Sequence, residues 1–97
     1  METREEAIKW LQKEGRGAVP LDAFGPGAFI AATGVEKTEL GDHLLGDVIV
    51  FFPSGNGCWD MKMLEQDKCS KRVIEPKRFA SLDDALSAVS KIMCQGT

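Results

Sequence analysis

His43, the only histidine, lies in the stretch Gly41–Asp47 with Asp42 and Asp47 close by. A base beside an acid is the pairing that general acid/base catalysis uses. The reaction also needs a nucleophile or second base within hydrogen-bond reach, and the neighbouring residues supply none. A histidine exposed in a polar turn accounts for the same pattern. The three cysteines are Cys58, Cys69 and Cys94. An odd number cannot pair completely within one chain, and no CxxC or Cys/His spacing offers zinc a ligand set. They read as free thiols of a reducing compartment, without the base or helix N-terminus that activates a thiolate. Glu5-Glu6 and Asp83-Asp84 are explained as first-turn acids that meet the positive end of a helix dipole. The chain therefore reads as a non-enzyme that calls for no cofactor and no metal.

Binding chemistry is left. Arg16–Gly27 reads RGAVPLDAFGPG, but it follows a helix and lacks the preceding strand, the spacing and the lysine of a phosphate cradle. Pro53–Gly57 is more simply a glycine-permitted hairpin turn than an anion-binding nest. The basic stretch 68–78 holds Lys68, Lys71, Arg72, Lys77 and Arg78 against Glu75, net +4. It offers contacts to phosphates and an alternative reading as a nucleic-acid or ribonucleoprotein accessory. Such modules add aromatic residues for base stacking, and the one nearby, Phe79, reads as core. The net charge of the whole chain is -3, with a pI near 5.1, which opposes non-specific affinity for nucleic acid or anionic lipid.

The negative charge is unevenly placed. Up to Asp47 there are nine acids against five bases, and the densest group is Glu36, Glu39, Asp42 and Asp47 around Lys37. With His43 they form the candidate partner-binding set, expected to project from a turn toward a basic protein.

These residues must be carried by a small scaffold. A chain of 97 residues with 43% hydrophobic residues has room for one core, so residues 1–97 read as a single domain. Thr3 followed by Glu6 is a capping box, and Ala7, Ile8, Trp10 and Leu11 give helical spacing up to Gly15, predicting a helix over 4–14. Residues 16–27 are expected to form a loop pegged into the core by Val19, Leu21 and Phe24. Residues 28–35 read as the first strand, with a possible extension to Glu39. Residues 41–47 read as a turn and 48–52 as a buried central strand. After the turn at 53–57, residues 58–64 alternate so that Trp59, Met61 and Met63 share a face opposite Asp60 and Lys62. Residues 71–75 are expected as a fourth, edge strand ended by Pro76. Ser81 caps a last helix from Leu82, whose stripe Leu82, Ala85, Leu86, Val89, Ile92 and Met93 is apolar throughout. The order helix, four strands, helix, with short connections, predicts an α+β domain. It has two layers: a four-stranded, mainly antiparallel sheet with both helices on one face.

The first twenty residues contain no apolar run of the kind a signal peptide needs, and the strictly apolar run Val48–Phe52 is too short to span a bilayer. A cytoplasmic location is the expectation. The size, the unpaired cysteines, the helix-sheet-helix order, the acidic segment Glu36–Asp47 and the hairpin VIVFFPSGNGCWDMKM together resemble bacterial toxin-immunity proteins. Those of contact-dependent growth inhibition systems are the nearest in kind. The resemblance implies an inhibitor that binds a cognate toxin domain, often a nuclease, and covers its substrate site.

Overall fold

The computed structural model of the chain describes residues 3–65 and 75–94. Helix α1, Arg4–Lys13, is capped by Thr3: Glu6 N donates to Thr3 Oγ1 (3.2 Å), the first of the two capping-box bonds, and that hydroxyl donates to Glu6 Oε1 (3.1 Å). It ends at Gly15, whose φ is +79°. There Gly15 N donates to Gln12 O and Arg16 N to Leu11 O, the double return that satisfies carbonyls at a helix end.

Among the described residues the sheet has five strands, β1 Gly17–Pro20, β2 Phe29–Thr38, β3 Gly41–Gly55, β4 Cys58–Glu65 and β5 Lys77–Phe79, in sequential antiparallel order. The α+β class and the antiparallel sheet agree with the expectation; the strand count does not. The extra strand, β1, lies in the segment expected to be a loop. A proline hides it from local signals, but Pro20 ends an edge strand, where a missing N–H is tolerated. The expected turn 41–47 is also strand, continuous with 48–55. The β3–β4 turn narrows to Asn56-Gly57, both at positive φ (+54° and +79°), as a two-residue hairpin demands. The core of the expected strand 71–75 lies outside the described residues. Glu75 itself is not in a strand, and the edge strand seen here follows Pro76 instead of ending at it.

Helix α2, Leu82–Cys94, begins where Asp84 N donates to Ser81 Oγ (3.1 Å). Helix α1 lies over β1 and β2, and α2 over β4 and β5, on the same side of the sheet. Ala7 and Leu11 of α1 and Leu82, Ala85, Leu86 and Val89 of α2 are buried there against Phe29, Ile49, Phe51, Trp59, Met61 and Phe79. The side chains of Ile92 and Met93 fall outside the described set. On the opposite face Ile30, Ala32, Val48 and Val50 form a second cluster, joined by Val19 and Leu21. Phe24, expected as a buried peg, is instead 48% exposed and meets Phe52 edge-on at 6.2 Å.

Two ion pairs tie loops and edges to this frame. Arg4 Nη1 donates to Asp22 Oδ1 (2.6 Å) and to Ala28 O (3.0 Å), while Gly27 N donates to the same carboxylate (3.2 Å). Across β4 and β5, Arg78 Nε and Nη2 donate to the two oxygens of Asp60 (2.8 and 3.3 Å). The bond from Arg4, then that from Gly27, holds the Asp22 carboxyl below the usual carboxylate range, and the bond from Arg78 does the same for Asp60. A carboxyl depressed in the folded state contributes stability above its unfolded value of about 4 and loses it as pH falls through the lower folded value. In urea titrations, the unfolding midpoint of Asp22→Asn/Asp60→Asn is therefore expected to fall less steeply than wild type below about pH 4. Parallel slopes would contradict the contribution of both pairs.

Candidate functional site

Strands β2 and β3 run past their neighbours. Among the described residues, β1 reaches only Phe29–Ala32 of β2, and β4 reaches only Val48–Gly55 of β3. Beyond these limits Gly34–Thr38 and Gly41–Leu45 pair with each other. The five residue pairs make a two-stranded arm of roughly 16 Å at about 3.3 Å per residue.

A bulge marks the root of the arm. Between the pairs Ala32–Val48 and Gly34–Leu45, β3 contains one residue more than β2. Gly46 sits there at φ +83°, and a Cβ on it would lie 2.9 Å from Thr33 Cβ, so both conformation and space demand glycine. Asp47 N donates to Thr33 Oγ1 (3.3 Å), and Arg16 Nη1 donates to Thr33 O (3.1 Å). Arg16 and Asp47 thus converge on one threonine. A close approach completes the root: a Cβ on Gly17 would stand 2.6 Å from Leu44 Cδ2 and 3.1 Å from Gly34 O, so glycine lets the arm rest on β1.

This geometry divides the expected site residues. Glu36, Glu39, Asp42 and His43 are all exposed on the arm. Asp47 is 1% exposed at the bulge and is removed from the expected surface. Its backbone N–H is bonded to Thr33 Oγ1 at the bulge, which gives it a place in the root of the arm and not on the surface. Glu36 and His43 are direct cross-strand partners, hence on one side of the arm. Lys37 and Asp42 are partners on the other, with Nζ 3.4 Å from Oδ1. Lys37 is 78% exposed, and a pair so wet contributes about 0 to 1 kcal/mol. At the tip, Thr38 Oγ1 donates to Gly41 O (2.6 Å) and accepts from Leu40 N (3.3 Å). Leu40 between them is fully exposed. Hydrophobic pattern reading passes over such a residue, because one leucine among polar neighbours carries no periodicity.

The arm holds three carboxylates against one lysine, in a form that presents charge on both sides. His43 has Glu36 opposite and no nucleophile among the residues paired around it. Among the described residues no three His, Cys, Asp or Glu side chains are placed to hold a metal ion. Cys58 is a free thiol.

The basic stretch is placed less favourably for phosphate. Lys68, Lys71 and Arg72 lie outside the described residues. Lys77 is exposed, with Nζ 5.3 Å from the centre of the Phe79 ring. Arg78 is engaged by Asp60, and Phe79 is 7% exposed, a core residue and not a stacking platform. A recess between β5 and α2 is lined by Lys77, Arg78 and Lys91 and by Glu75 and Asp84; with Arg78 engaged by Asp60, the remaining charges are balanced and favour no single ligand charge.

No protein family, curated protein or solved structure matches the chain.

Proposed function

We propose that this chain is a small cytoplasmic inhibitor of the toxin-immunity kind, which binds a basic protein through the β2–β3 arm. The observation that supports this reading is the exposure of Glu36, Glu39 and Asp42 on an arm that extends beyond the rest of the sheet. A nuclease must line its substrate cleft with positive charge to hold phosphates. A two-stranded arm is narrow enough to enter such a cleft, and its carboxylates then take the positions of phosphates. Opposite fields accelerate encounter and penalise partners of the wrong sign. Substrate is excluded by occupancy, which requires no chemistry from the inhibitor. The nucleic-acid alternative is weaker, because Asp60 neutralises Arg78 and Phe79 is withdrawn into the core.

The test is Glu39→Lys with Asp42→Lys, measured against the protein encoded by the adjacent reading frame. Both positions are exposed, so the melting temperature is expected to stay within about 2 °C of wild type. The association rate is expected to fall at least about 10-fold at low salt, with a flatter dependence on ionic strength. An unchanged association rate would place the interface elsewhere, first on the sheet face that carries Asp60 and Lys62. If the adjacent frame encodes no protein that binds, the immunity reading fails.

A further inference from the structure

We infer that Leu40 is an apolar anchor of the arm, and that its partner offers an apolar socket rimmed by lysine or arginine. This rests on the reading of the arm as the binding element. Single exposed leucines are ordinary on protein surfaces, but three features separate this one. It is fully exposed, and it sits at the apex of the arm, in the turn between the paired residues Thr38 and Gly41. Its backbone is held: Thr38 Oγ1 accepts from Leu40 N and donates to Gly41 O, so the tip is ordered before a partner arrives. Ordering in advance reduces the entropic cost of binding. Glu39 precedes it and Asp42 follows two residues later, so a socket that takes the leucine meets carboxylates at its rim. That charge pattern selects a protein cleft with a basic margin over a lipid surface or a second copy of this acidic chain.

The two parts of the tip then have separable effects. Carboxylates at a rim act on the association rate, whereas a side chain that must leave an apolar socket acts on the dissociation rate.

A photocrosslinking residue placed at position 40, and as a control at exposed Phe24 near the opposite end of β3, is irradiated in the native cell. The protein joined at position 40 is then purified as the probe. Leu40→Ala is expected to raise its Kd about 20-fold through faster dissociation, with the association rate within twofold of wild type. Leu40→Met, which keeps the apolar volume, is expected to restore the Kd to within about threefold. If Leu40→Ala leaves the Kd unchanged while Glu39→Lys/Asp42→Lys still slows association, the anchor is overturned and the arm remains the interface. If both variants bind like wild type, both readings fall. No adduct at position 40, or an adduct only with a second copy of the chain, also overturns both.

Discussion

Replacing Phe51 with alanine is expected to lower the free energy of unfolding by about 3 to 5 kcal/mol, read as the shift in urea midpoint at constant slope. Phe51 occupies the middle strand of five and is completely buried on the helix-covered face. Its ring stacks on Phe29 at 4.8 Å with the planes 15° apart, and Phe29 in turn meets Trp59 edge-on at 5.6 Å. Truncation removes one ring from this row and leaves a cavity between strands whose hydrogen bonds on both edges prevent them from closing in. Phe52 is the internal control: it follows in sequence but lies on the opposite face and is half-buried. Phe52→Ala is expected to cost visibly less. Equal effects would mean that the two faces are not packed as described.

Leu86→Ala is expected to cost about 2 to 5 kcal/mol, which in a domain of this size corresponds to a fall in melting temperature of at least about 8 °C. Leu86 is 1% exposed at the centre of the α2 face formed with Leu82, Ala85 and Val89. Helix α2 is the cover of β4 and β5, and β5 has only three residues to hold it to the sheet. A loosened helix therefore exposes Phe79 and Trp59 as well as its own cavity. A mutant that melts within two degrees of wild type would contradict this packing. Natural domains are stable by about 5 to 15 kcal/mol, so Leu86→Ala and Phe51→Ala together are expected to leave little folded protein at 37 °C.

What sequence alone determined was whatever is encoded over a few neighbouring residues. Thr3 with Glu6 and Ser81 with Asp84 start helices by bonds that span three positions, and Gly15 stops one by adopting positive φ. Asn56-Gly57 closes a hairpin because both residues tolerate a left-handed backbone. The alternation of Trp59, Asp60, Met61 and Lys62 sorts two faces without reference to the rest of the chain. From these follow the α+β class, the antiparallel sheet and the side on which the helices lie.

Tertiary structure decided the features whose energy comes from distant partners. Strand β1 exists because β2 offers it an edge and Gly17 accepts the arm at close range; its own residues, glycine and proline among them, oppose a strand. The segment 41–47 carries turn residues, yet it is extended because Gly34–Thr38 pairs with it across the hairpin. One extra residue at the bulge changes the register of everything beyond it, and a shift of one position moves a side chain from one face to the other. Glu36, Glu39 and Asp42, with His43, therefore stand in water on the arm, while Asp47, the same residue type as Asp42 and five residues away, is buried at its root. Charge is a property of each residue and is legible in sequence; exposure of that charge depends on strand register, which is set only when the sheet assembles.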